Sequence, residues 1–455
     1  MELGILIVFI LGYTGIAFEH VIKINKTPTA LITGALCWTI LLIGATIIPE
    51  HLVSDYSNLS ITLGQQDVSL SEFFNHRLLH HLQEIAAILI FLMAAMTIVE
   101  VVDAHEGFNI ITDKITSTSK VKLLWIVSII TFFLSAALDN LTTAIVMVSL
   151  VSKLIDDKKT RWFFGGMIVI AANSGGAWSP IGDVTTTMLW IGKQITTVEI
   201  IKSLFLPSLV SLLVPLSILS LIMKGNVNRP ENKSRSKSRT TKKEKLTAFF
   251  LGIGGLLFVP IFKNVTHLPP FMGIILSLGI VWLVTEIMHS KKEEEVKDTL
   301  SALHALRKID MPSVLFFLGI LLAVSALQEV GHLQTLATTL KETLNNPYAI
   351  NMSIGGLSAI VDNVPLVAAS MNMYDISPAV TNDSWSNHFV QDGVFWHFLA
   401  YCAGTGGSML IIGSAAGVAV MGIQKIDFMW YLKNISLWAL IGYISGGIVY
   451  IIQNM

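Results

Sequence analysis

Charge is what this chain has least of. Only 13% of its 455 residues are Asp, Glu, Lys or Arg, against about 25% in a soluble domain. With 53% hydrophobic residues, that scarcity excludes an ordinary soluble enzyme. It predicts an all-α protein that crosses a lipid bilayer many times. Cysteine is nearly absent. Cys37 and Cys402 both lie in apolar runs and suggest neither a disulfide framework nor a metal site. No cofactor and no nucleic-acid partner is expected. The net charge of −1 says nothing about partners, because the charges are segregated along the chain. The first apolar run, from Leu3, has no basic segment ahead of it and no small-residue cleavage site. It reads as a retained span rather than a signal peptide.

What is present is a series of apolar runs. Uninterrupted spans read at 3–22, 28–49, 84–102, 201–224, 246–262, 270–289, 312–329 and 429–452. Residues 50–83 read as a polar loop, which puts His80 and His81 in contact with water. Four further apolar segments are interrupted, at 121–154, 162–195, 348–373 and 395–424. Segment 225–245 is dense in Lys and Arg with frequent Ser; such a composition predicts disorder and a linker.

The interruptions come in matching pairs. LSAALDNLTTAIVMV at 134–148 resembles LSAIVDNVPLVAASM at 357–371. Each places an Asp-Asn pair, Asp139-Asn140 and Asp362-Asn363, four residues after a Ser, Ser135 and Ser358. NSGGAWSPIGD at 173–183 is matched by GTGGSMLIIGS at 404–414. The first pair lies 223 residues apart (139 to 362) and the second 231 (175 to 406). Eight extra residues, which the polar stretch 374–394 can hold, reconcile the two. This is the signature of a duplicated half-protein.

Loops rich in Lys and Arg stay cytoplasmic. The turn at Lys23 and Lys26, and segments 103–120, 155–161, 225–245 and 290–310, are therefore expected inside. Both flanks of 121–154 then lie inside, so that segment is a re-entrant hairpin with Asp139-Asn140 at its tip. Counting onward places both flanks of 348–373 outside. The expectation is two inverted repeats, each of about five transmembrane helices and one re-entrant hairpin. The first covers 1–224, the basic cytoplasmic linker 225–245, and the second 246–455.

A carboxylate at membrane depth is usually tied to a substrate, ion or proton path. Asp139 and Asp362 are the first candidates, although an Asp ahead of a new helix segment is also a common cap. Burial of a carboxyl group disfavours its charged form, so one site can exchange Na⁺ and H⁺ by competition. Asn140 and Asn363 would offer amide oxygens, and Ser135 and Ser358 hydroxyl oxygens, which suit a hard cation. Asn173, Ser174 and Thr405 sit at the glycine-rich breaks, where Gly175-Gly176 and Gly406-Gly407 relax the backbone. Those breaks read either as ligand elements or as packing kinks. Asp183 has no acidic counterpart, Ser414 holding that place; it reads equally as a third titrating group or as a helix cap. Thr142, Thr143, Thr185 and Thr186 read as ligands or as ordinary intrahelical hydroxyls. Glu100, near the end of its span, reads more readily as an interfacial group than as a site residue.

At SAALDN, NSGGAWSPIGDVTT, SAIVDNVP and GTGGSMLIIGSAAG the chain resembles the NhaD-type sodium/proton antiporters of the ion transporter superfamily, over nearly its full length. The resemblance implies exchange of Na⁺, with Li⁺ beside it, for H⁺, an elevator-like motion, a homodimer, and a multi-pass place in a bacterial inner (plasma) membrane. The superfamily's sodium-coupled dicarboxylate carriers share the architecture, but their hairpin tips read Ser-Asn-Thr. Here the tips read Asp139-Asn140-Leu141 and Asp362-Asn363-Val364. Two nearby carboxylates favour proton exchange and repel a dicarboxylate. An intramembrane aspartyl protease built on Asp139 and Asp362 is disfavoured, because each Asp has its own Asn and its own glycine-rich partner.

Overall fold

The computed structural model of the chain describes all residues except 23, 47, 50–51, 64–67, 113–114, 116, 229–239, 291, 361, 379–382 and 384. Most of the linker expected at 225–245 is thus outside the described residues. The rest is nearly all helix. Among the described residues, eight helices are long and apolar enough to cross a membrane, and the chain is a polytopic membrane protein. It divides into two units. One comprises Met1–Ile90, Asp310–Ile350 and Val364–Ile376; the other comprises Phe91–Ile309, Asn351–Asn363 and Ser377–Met455.

In the first unit, helices Lys26–Gly44 and Met311–Glu329 pack on small residues. A Cβ on Gly34 would fall 2.5 Å from the Gly319 carbonyl oxygen, so only glycine allows the two backbones to approach this closely. The Trp38 indole seals the contact by donating to the Leu322 carbonyl at 2.9 Å.

Helix Leu70–Ala104 starts well before the apolar run at 84–102. Its early polar residues are not loop residues, contrary to the sequence expectation; His81 is buried, while His80 is exposed, as expected. Arg77 Nη2 donates to Glu329 Oε1 at 2.8 Å and His81 Nε2 lies 2.7 Å from the same oxygen, while Arg77 Nη1 reaches Asp55 at 3.0 Å. Glu329 is fully buried, and a buried carboxylate is tolerated when paired and hydrogen-bonded. This pairing, across 252 residues, ties the polar start of the helix to Met311–Glu329.

The second unit holds the interrupted elements. Helices Lys120–Leu138 and Asn140–Leu154 meet at Asp139, whose φ of 139° is a conformation that side chains other than glycine rarely adopt. Both feet of this helix pair are pinned by one short segment. Lys120 N donates to Gly225 O at 3.0 Å, Val227 N to Thr118 O at 2.8 Å, and Asp156 N to Asn228 O at 2.9 Å. Helix Lys158–Ala177 stops at the glycine-rich break and resumes as Val184–Ile191; Val394–Gly406 stops likewise and resumes as Ala415–Gln424.

The same contacts recur at both breaks. Ser135 Oγ donates to the Ala172 carbonyl at 2.6 Å, and Ser358 Oγ to the Ala403 carbonyl at 2.8 Å. Their sequence separations, 37 and 45, differ by the eight residues that separate the two motif offsets. A Cβ on Gly175 would sit 2.2 Å from Phe132 O, and one on Gly406 2.2 Å from Gly355 O. Glycine is required at both positions because a neighbouring backbone occupies the space of a side chain. Asp183 caps Val184–Ile191 by accepting from Thr185 N, and Ser414 caps Ala415–Gln424 by accepting from Gly417 N.

Candidate ion site

The polar groups of the second unit converge on Asp183, 1% exposed. Its Oδ1 accepts from the backbone N and the hydroxyl of Thr185, both at 2.9 Å. Its Oδ2 accepts from Asn140 Nδ2 at 2.6 Å. Asn363 Nδ2 lies 3.5 Å from both carboxylate oxygens. The Asn of each repeated tip therefore points at one carboxylate. Asn140 Nδ2 also reaches Asn173 Oδ1 at 3.1 Å. Asn173, with no exposed surface, turns its own amide to Ser408 Oγ at 2.9 Å and Ser414 Oγ at 3.0 Å. Residues from both copies of the motif thus form one connected network of amides, hydroxyls and a carboxylate. The charges that face Asp183 are those of Asp362 and Asp139. Excess negative charge in a dry setting calls for a cation, either a metal ion or a proton.

The two tip aspartates are placed differently from the asparagines beside them. Asn140 and Asn363 are buried, whereas Asp139 and Asp362 are half-buried. Asp139 caps its own helix segment, its Oδ1 accepting from Thr142 N and its Oδ2 from Thr142 Oγ1, both at 2.7 Å. Asp139, at φ 139° and ψ 164°, lies outside the helical region, so its carboxylate turns back on the first turn of its own helix segment while the Asn140 amide points at Asp183.

The remaining candidates divide into braces and open groups. The hydroxyls of Ser135, Ser358 and Thr405 each donate to a carbonyl, of Ala172, Ala403 and Tyr401. Ser174 Oγ pairs with Ser211 Oγ at 2.7 Å. These contacts hold the breaks together, and each hydroxyl retains lone pairs for a further partner. Thr143 Oγ1 and Thr186 Oγ1 are buried without a hydrogen-bond partner. Glu100 is paired with Lys308 Nζ at 3.2 Å, away from the Asp183 network. Ser408 and Ser414 were not among the candidates. The signal for Ser414 was its match to Asp183 in the repeat; Ser408 aligns with Ala177 (offset 231) and carried none.

A family model described as citrate transporter matches residues 4–386. Sodium/proton antiporter 2 of Arabidopsis thaliana is 43% identical over 98% of this chain and 98% of the relative. Sodium/proton antiporter 1 of the same plant is 45% identical over 99% of this chain and 72% of the relative. The Na(+)/H(+) antiporter NhaD of Vibrio cholerae is 28% identical over 99% of this chain and 91% of the relative. The chain belongs to the NhaD-type sodium/proton antiporter family. In this NhaD-type chain the network around Asp183 takes on a specific interest, since it is where the Asp-Asn motifs and the glycine-rich motifs meet. As a member of a transporter family, the chain is not an enzyme. The relatives come from a plant as well as from bacteria, so a bacterial plasma membrane remains an expectation of the sequence alone.

Proposed function

We propose that this NhaD-type chain exchanges Na⁺, and Li⁺ with it, for H⁺, and that cation and proton alternate on the carboxylates around Asp183. The observation that carries this reading is the convergence of Asn140 and Asn363 on the buried Asp183. Amides can serve either state. With Nδ2 inward they satisfy an ion-free carboxylate; turned over, they present oxygen to a hard cation. Asn173, Asp139 and Asp362 complete the proposed ligand set, with the hydroxyls of Ser135, Ser358, Ser174 and Thr405 behind them. Asp139 and Asp362, half-buried, face the ion as it arrives, and Asp183 holds it.

The test is proton movement in everted vesicles. NaCl and LiCl should each release protons from acidified vesicles, while KCl, succinate and citrate should not. Response to citrate or succinate, with none to NaCl, would establish carboxylate transport instead. The description of the family model as a citrate transporter makes that arm necessary. A buried Asp183 that already faces the negative charges of Asp139 and Asp362 argues against an anionic substrate at this site.

The proposal includes two inverted repeats, 1–224 and 246–455, joined by a cytoplasmic linker, and a homodimer as the family resemblance implies. The recurrence of the Ser-to-carbonyl contacts at a shift of eight supports duplication. The pinning of residues 118–120 and 156 by one segment, 225–228, supports a hairpin that enters and leaves on one side. A cysteine placed at Ser236 should resist an impermeant thiol reagent applied to right-side-out cells and react in everted vesicles. Labelling from the outside would reverse the topology and remove the re-entrant assignment of 121–154.

A further inference from the structure

The helix capped by Asp183, Val184–Ile191, has eight residues and spans only about 12 Å. Its far end has its own anchor. Lys263 Nζ, from helix Lys242–Thr266, donates to the Trp190 carbonyl at 2.9 Å and lies 4.2 Å from the centre of the Trp190 ring. Trp190 has no exposed surface, and Phe91 packs edge-on against it at 6.5 Å. One ammonium group thus satisfies a last-turn carbonyl, sits at the negative end of the helix dipole and covers the indole face. The charges that face Lys263 are Lys193 and Asp392. Asp392 is engaged elsewhere, accepting from Thr196 N at 2.6 Å and facing His397 Nε2 at 3.2 Å.

We propose that Lys263 is a positioning residue for ion exchange: by clamping Trp190 it holds the short Val184–Ile191 helix in register, and through that helix keeps Asp183 within reach of Asn140 and Asn363. This rests on the exchange reading above. A helix of two turns is too short to hold its own position, since isolated helices of this length are not stable in water and depend on tertiary contacts. The cap at one end and the ammonium at the other are polar anchors at its two ends, beside the packing of its buried side chains.

The test uses the full chain in lipid vesicles, unaltered and as Lys263→Met and Lys263→Arg. Methionine keeps most of the apolar stem and loses the charge; arginine can still donate to the carbonyl and stack on the indole. In Lys263→Met, amide hydrogen exchange should accelerate in peptides covering 184–196 and not elsewhere, with Lys263→Arg unchanged. The Michaelis constant for Na⁺ should rise roughly fivefold in the Met variant, the low end of coupling between separated sites, with the maximal rate per folded molecule kept and arginine restoring the constant. Unchanged amide exchange at 184–196, acceleration spread over all helices, or faster local exchange with an unaltered Michaelis constant would each overturn the proposal. If the unaltered chain moves no protons in response to Na⁺, the exchange reading falls. The amide exchange data then decide the clamp by themselves.

Discussion

Asp183→Asn should abolish Na⁺-driven proton release while leaving the protein folded. Asn is as good a helix N-cap as Asp, so the hydrogen bond to Thr185 N and the start of Val184–Ile191 survive. What is lost is the one carboxylate that both tip asparagines address. Without that negative charge, the Coulomb attraction that holds a cation in a dry setting is gone. The loss of the titrating group also removes the means of carrying H⁺ on the return. The same substitution at Asp139 and at Asp362 should likewise abolish exchange if the three acids act as one site. At Asp139 it should be mild for the fold, because Asn has the shape of Asp and can keep the contact with Thr142 N. Proton flux, measured at matched expression and with a thermal unfolding curve for each variant, separates chemistry from folding. Normal exchange in Asp183→Asn would remove the acid at the centre of the network from the mechanism.

The apparent Michaelis constant for Na⁺ should fall as pH rises, by roughly tenfold per unit where one proton competes for the site, and level off once the carboxylate is ionised. The direction follows from occupancy. At low pH the carboxylates are protonated and Na⁺ must displace H⁺; raising the pH removes the competitor, so less Na⁺ is needed. Neither hairpin offers a cation near its tip, since the basic side chains within them lie at the ends away from it: Lys120 and Lys122 in the first turn of Lys120–Leu138, and Lys153 in the last turn of Asn140–Leu154. Na⁺ and H⁺ are therefore the partners available to Asp139, Asp183 and Asp362. Exchange rates against NaCl at several pH values provide the measurement. A constant Michaelis value with only the maximal rate moving would indicate separate sites for the two ions.

The sequence alone determined that this is a multi-span membrane protein of a transporter family. Those properties are linear: hydropathy accumulates along the chain, and the family motifs, the Asp-Asn and Gly-Gly phrases, can be read directly from it. It could not rank the acids. Asp139 and Asp362 drew attention because they repeat; Asp183, which does not repeat, lies at the centre. Whether the Asp or the Asn of each pair hydrogen-bonds to a distant group depends on the backbone at the break and on what stands opposite. Only the packed structure supplies that opposing group. The same holds for Ser408, whose role exists through Asn173, 235 residues away, and for Arg77, His81 and Glu329. In sequence the first two look like residues of a polar loop. In the fold both lie in a helix and meet a single buried carboxylate, 252 and 248 residues away from them, a partner that no local pattern encodes.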